Sequence, residues 1–168
     1  AGSKIYYVAM TPSGTYKLFA FGGVTTSAVT DINPGNSDDP MSLVASGSRL
    51  YFSAQNPSGR SVYYYQPSTG VVQLATSSGT SQDNVYNLAK IGSKIYFPGN
   101  DSNFNNKLFS VDPDGSNLTQ VTDVNPNGSD SIYYAIGNGG YVYLNARDTD
   151  GDEATYQYEP IGISLTKI

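Results

Sequence analysis

The chain has 168 residues, a formal charge of −5, fifteen Tyr, and neither Cys, His nor Trp. Without Cys there is no disulfide framework and no thiolate chemistry, and without His the nucleophilic triads and imidazole metal sites fall away. The acidic balance, with no run of Lys or Arg, argues against nucleic acid or an anionic membrane as partner, and no apolar run approaches the roughly 20 residues of a membrane span.

The first predicted element is the alternating run Ile5 to Met10, introduced by Gly2-Ser3-Lys4 and followed by the polar loop "TPSGT". A second run centres on Leu18-Phe19, a third ends at Val29-Thr30-Asp31-Ile32, and a fourth spans Met41 to Ala45. At Gly47 the order restarts with Leu50 to Ala54, the loop "QNPSGR", Tyr63-Tyr64, Leu74-Ala75-Thr76 and Val85 to Ile91. From Gly92 follow Ile95 to Phe97, "GNDSNFNN", Leu108-Phe109, Val121 to Val124 and Ile132 to Ile136. From Gly139 follow Val142 to Ala146, "RDTDGDE", Tyr156-Gln157-Tyr158 and Leu165 to Ile168. Each run is short, rich in Tyr, Val, Ile, Leu and Phe, and bounded by turn formers, which is the pattern of strands and hairpins; none carries helical spacing. "QPSTG" (66–70) and "DPDGS" (112–116) read as tight turns, with Pro presetting φ and Gly supplying positive φ.

The repeat glycines lie 45, 45 and 47 residues apart, and four strands per period of that length match the blade of a β-propeller. A solenoid has shorter coils, and a sandwich lacks such self-similarity. The expectation is an all-β chain: a β-propeller of four blades of about 45 residues in a single repeat domain, 1–168, with repeats of about 1–37, 38–82, 83–128 and 129–168. The first blade has three strands against four in the others, 15 in total, and the strand it lacks is the inner one.

"VTDINPGNSDDPMSLVASGSRLYFSA" (29–54), with "VTDVNPNGSD" (121–130) and "KLFSVDPDGSNLTQVTD" (107–123), resembles the ELWxxDGT-type propeller repeats of bacterial and archaeal surface proteins. The chain is similar also to other bacterial surface propellers with IYY…DPDGS…LT blades. The Trp of the motif is replaced by Phe19, Tyr64, Phe109 or Tyr158, its Glu is absent, and Asp-Gly-Ser stands intact only at 114–116. The resemblance implies the fold and an extracellular, cell-surface location, and it implies no catalytic residue.

For chemistry, a carboxylate pair is the one acid–base device left. Asp31 and Asp123, like most acidic residues here, sit in turns, where Asp caps backbone amides. In "RDTDGDE" the alternating Asp148, Asp150 and Asp152 offer hard oxygens to Ca²⁺, the one cofactor considered, although the EF-hand spacing is not met; a solvated hairpin is the competing reading. Tyr63, Tyr65 and Tyr133 are candidate ligand contacts, because Tyr stacks on sugar rings and is enriched at interfaces, with packing between blades as the alternative. Ile5, Tyr6 and Tyr7 form the edge that an incomplete first blade leaves open to a strand from another chain. Three functions compete: a non-catalytic adhesion module for a glycan or surface protein; a structural subunit assembled by strand complementation, or part of a larger or split propeller; and a carboxylate-only hydrolase.

Overall fold

A computed structural model describes residues 3–74 and 85–168; Ala75 and Thr76 of the expected second-repeat run lie outside the described residues. Among these residues there are fifteen strands and no helix. The first sheet is β1 (Ile5–Met10), β2 (Tyr16–Phe21) and β3 (Thr26–Ala28). The second is β4 (Met41–Ser46), β5 (Arg49–Asn56), β6 (Gly59–Gln66) and β7 (Gly70–Gln73). The third is β8 (Ala89–Ile91), β9 (Lys94–Asn100), β10 (Asn106–Val111) and β11 (Thr119–Gln120), and the fourth is β12 (Ala135–Asn138), β13 (Tyr141–Arg147), β14 (Glu153–Glu159) and β15 (Ser164–Lys167). Each is an antiparallel meander in chain order, three-stranded in the first case and four-stranded in the rest.

The short unbroken apolar runs follow from burial on both faces. In β5, Leu50, Phe52 and Ala54 pack toward the first sheet while Tyr51, one residue over, packs toward the third. In β10, Phe109 faces the second sheet and Leu108 the fourth. Successive strand residues point to opposite sides, so a strand buried twice cannot show the polar alternation of a surface strand. Three clusters result, one at each junction between successive sheets. Fully buried Phe97 and Leu108 each contribute about 2 kcal/mol or more on transfer scales. Phe97→Ala would remove roughly 3–5 kcal/mol once the cavity it leaves is included.

The third runs of the first and third repeats differ from expectation, whereas that of the fourth, Leu165 to Ile168, is met by β15. Val29-Thr30 and Val121-Thr122 have strand-like composition, yet β3 and β11 end before them, at Ala28 and Gln120. The hydroxyls of Thr30 and Thr122 accept the amides of Leu18 and Leu108, so side chains take over where ladder bonds would continue.

β1 pairs with β2 in the register Ile5↔Phe21 to Met10↔Tyr16, and β15 pairs with β14. The two terminal sheets therefore do not share a ladder, and no closure of a ring is seen.

Candidate functional site

The four sheets can be superposed by their hydrogen bonds. Val29, Leu74, Val121 and Ile168 donate their amides to the carbonyls of Leu18, Val62, Leu108 and Thr155. Lys17, Ser61, Lys107 and Ala154, each one residue earlier, thus occupy one equivalent position.

The two lysines build the same clasp. Lys17 Nζ, almost fully buried, lies 2.8 Å from Asp38 Oδ1 and 2.9 Å from Asp31 Oδ1, and donates to the carbonyl of Asn33 at 3.2 Å. Lys107 Nζ lies 2.9 Å from Asp130 Oδ1 and 2.7 Å from Asp123 Oδ1, and donates to the carbonyl of Asn125 at 2.8 Å. Asp38 and Asp130 are 0% exposed, and the second oxygen of each is buried without a hydrogen-bond partner. Burial alone would lower both ammonium pKa values, but the hydrogen bonds and charges of the aspartates outweigh it and leave them raised. The buried aspartates also join neighbouring sheets through backbone. Asp38 donates its amide to Tyr16 and accepts that of Gln55; Asp130 donates to Asn106 and accepts from Arg147.

Above the clasps, three hairpins share one geometry. In 11–15, 101–105 and 148–152 the first residue donates its amide to the fifth and accepts that of the fourth. The fourth residue has positive φ: Gly14 at 84°, Gly151 at 87°, and Phe104 at 64°. A Cβ in the left-handed region costs about 1–2 kcal/mol, and a bulky residue held there at 65% exposure has little burial to offset it.

Phe104 borders a groove of about 390 Å³ together with Tyr86, Tyr133, Asn106, Ser129 and Ser131. The matching position in the first and second sheets holds a second groove, of about 400 Å³, bordered by Val8, Tyr16, Asp39, Met41 and Arg60. Met41, Tyr86 and Tyr133 are themselves equivalent: each precedes by three residues the strand residue (Val44, Ala89, Ile136) that pairs with Tyr51, Tyr96 or Tyr143. All three are exposed, each following a buried anchor, Pro40, Val85 or Ile132. The next residue along latches the adjoining sheet: Ser42 Oγ accepts the Leu88 amide, and Asn87 Oδ1 that of Ala135.

Of the residues singled out from sequence, Tyr133 lies in the groove at 66% exposure. Tyr63 is 4% exposed, stacked on Phe52, its hydroxyl accepting from Asn56 Nδ2; Tyr65 is half-buried, edge-on to Tyr6 at 5.7 Å. Asp148, Asp150 and Asp152 are not gathered around a common point, and no cluster of three metal-ligating side chains occurs among the described residues. Asp148 Oδ1 instead accepts the amides of Asp150 and Asp152, and its other oxygen lies 3.3 Å from Lys167 Nζ; the Asp152 amide above all, with Lys167 and the Asp150 amide, holds its pKa below the usual range, and Asp101 caps the equivalent hairpin. Ile5, Tyr6 and Tyr7 lie in β1, whose one strand partner among the described residues is β2. Tyr86 and Phe104 escaped the sequence reading. The signal for Phe104 lies in the aligned loops "TPSGT", "DSNFN" and "DTDGD", where Phe stands in a glycine column.

No family model matches the sequence, and no curated protein matches it. Solved structures do match by shape. A putative TolB from Agrobacterium tumefaciens superposes with a TM-score of 0.66 at 14% identity, over 99% of this chain and 61% of its own. Dipeptidyl peptidase 4 of Porphyromonas gingivalis gives 0.69 at 9% identity, over 98% of this chain and 24% of its own. A puromycin-hydrolyzing peptidase of Mycobacterium tuberculosis gives 0.65 at 14% identity, over 100% and 30%. The chain thus spans about three fifths of the first and a third or less of the other two. Identities this low carry the fold alone: four successive sheets of propeller type.

Proposed function

We propose that this chain is an extracellular, non-catalytic binding module that presents one face of a propeller-type stack to a glycan. The observation that carries it is the recurrence of a large exposed ring at one position ahead of the third and fourth sheets, Tyr86 and Tyr133, where the second sheet has Met41. In the propeller arrangement the first strand of each sheet lies innermost, which puts Tyr86 and Tyr133 on one face, where both border one groove. Rings displayed by a rigid frame, each with a buried anchor behind it, suit a ligand that offers flat C–H surfaces. The surface location rests on the resemblance of the two "TDxNPxxSD" linkers to repeats of surface proteins.

The test is a screen of the folded chain against immobilised glycans, repeated with the Tyr86→Ala/Tyr133→Ala double variant. Binding to at least one glycan class, lost in the variant while its melting temperature holds, is the expected result. Silence across the array, or binding confined to proteins, ends the glycan reading.

The open side of β1 favours a second reading, a structural subunit completed by a foreign strand. Ile5, Tyr7, Phe19 and Phe21 correspond to Leu50, Phe52, Tyr63 and Tyr65 of the second sheet, which are covered by the first; here they have no sheet in front of them among the described residues. Light scattering that shows a monomer at all concentrations, with no uptake of a strand peptide such as 85–92, would dismiss it.

A further inference from the structure

The two grooves described above are the same architectural place furnished differently, and the difference names a ligand. In the groove of the first and second sheets, position by position, stand Tyr16, Asp39 and Met41. In the groove of the third and fourth stand Asn106, Ser131 and Tyr133. The first contains a carboxylate and a guanidinium, Asp39 and Arg60. Among the described residues, the second is lined by no charged side chain.

Three rings surround the second groove, Tyr86, Phe104 and Tyr133, at 60, 65 and 66% exposure. Two of them are held in place for reasons other than core packing. Phe104 occupies the glycine position of its hairpin, at a φ of 64°. Tyr86 has the Arg60 guanidinium over one face, 5.5 Å from the ring centre, which fixes the ring. Arg60 is itself nearly buried and donates to the carbonyl of Asp39, so the support is rigid.

Between the rings the polar groups are pre-set as donors. Asn106 Oδ1 accepts the Ile132 amide, which leaves its NH₂ to donate outward. Ser129 Oγ accepts the Asn106 amide, which leaves its O–H to donate. Ser131 adds a third neutral side chain from a residue at positive φ. Flat apolar faces interleaved with neutral donors complement a pyranose, whose C–H faces stack and whose hydroxyls accept. A uronate or sialylated sugar would bring a carboxylate into a groove with no cation among the described residues of its lining, in a protein of net charge −5.

Building on the glycan reading above, we infer that the Tyr86–Phe104–Tyr133 groove is a binding site for a neutral oligosaccharide, with Phe104 and Tyr133 as the stacking platforms and Arg60 as a positioning residue for Tyr86. The groove's size falls in the range of small-ligand sites, roughly 300–1,000 Å³. The groove around Met41 is not part of this site.

The experiment uses the full chain on an array of neutral, uronate-containing and sialylated oligosaccharides, then titrates the best binder against four variants by calorimetry. The strongest binders are expected to be neutral. Phe104→Gly and Tyr133→Ala should each weaken the best binder about tenfold or more, and Met41→Ala less than about twofold. Phe104→Gly should melt no lower than the parent, because glycine is relaxed at that φ, so its loss of binding is not unfolding. Arg60→Met should weaken binding by less than the ring deletions, through Tyr86. Acidic sugars as the strongest binders, or neutral binding indifferent to Phe104→Gly and Tyr133→Ala, overturns the assignment and leaves the glycan reading standing. Binding to no glycan at all removes both.

Discussion

The first and third sheets are close copies beneath and different above. Lys17 and Lys107 hold the same two aspartates and the same asparagine carbonyl, and the hairpins over them share every backbone bond described. Then Gly14 gives way to Phe104, Asp39 to Ser131, and Met41 to Tyr133. The invariant part ties one sheet to the next and tolerates little. The variable part stands on that frame without supporting it, so it is free to carry recognition. Structure is repeated along the chain, while the groove is furnished in one copy.

The sharpest way to break this comparison is at the clasp. Lys107→Met leaves the Asp130 carboxylate buried without its cation and should remove about 3 kcal/mol, a fall of roughly 10 °C in melting temperature. Lys17→Met should match it within about 1 kcal/mol in urea or thermal denaturation. A large gap between the two would show that the clasps are copies in geometry alone.

Next come the hairpins, which can be exchanged. Gly14→Phe should destabilise by about 1–2 kcal/mol, purely through backbone strain, because a Cβ there meets open space. Phe104→Gly should gain up to about 1 kcal/mol, the released strain being partly offset by the greater entropy of an unfolded glycine. If both exchanges prove neutral, Phe104 is not strained and its place in the groove needs no functional reason. Smaller still are the outer aspartates. Asp31→Asn and Asp123→Asn should each lose less than about 1 kcal/mol, since both carboxylates face solvent and screening weakens their ion pairs.

The mildest probe is alkaline pH. The Lys17 and Lys107 ammonium groups have raised pKa values, and burial pushes the Tyr96 phenol from 10.0 to about 12. The folded state therefore holds these protons more tightly than the unfolded chain does. Their stabilisation is complete below about pH 10 and is lost as the pH climbs through the folded values. Thermal melts should be insensitive to these groups near neutrality and fall above about pH 10, less steeply in either lysine variant.

Strand number and order were legible because each repeat restates the same two-faced apolar pattern after a glycine turn. The three-stranded first sheet followed from counting runs, and the β1–β2 pairing bears it out. The third strands of the first and third repeats were misplaced because Val-Thr reads as strand, while the threonine hydroxyl does the bonding instead; that of the fourth was placed correctly. Tyr63 looked available because three tyrosines stand in a row. In a strand covered on both sides, alternation points to burial just as readily, and Tyr63 is covered. The lysine clasps were hidden by distance: the buried aspartate follows its lysine by 21 or 23 residues, across a strand and a linker. The groove rings come from the second-to-third-sheet linker (Tyr86), a hairpin (Phe104) and the next linker (Tyr133), and no local pattern joins them.

The clasp lysines recur at every second sheet. Sheets one and three carry Lys17 and Lys107; sheets two and four carry the small residues Ser61 and Ala154. Each buried aspartate takes its second backbone bond from the even-numbered sheet that follows, at Gln55 or Arg147. The unit that repeats with its clasp is therefore a couplet of about 90 residues rather than the single repeat that the eye picks out.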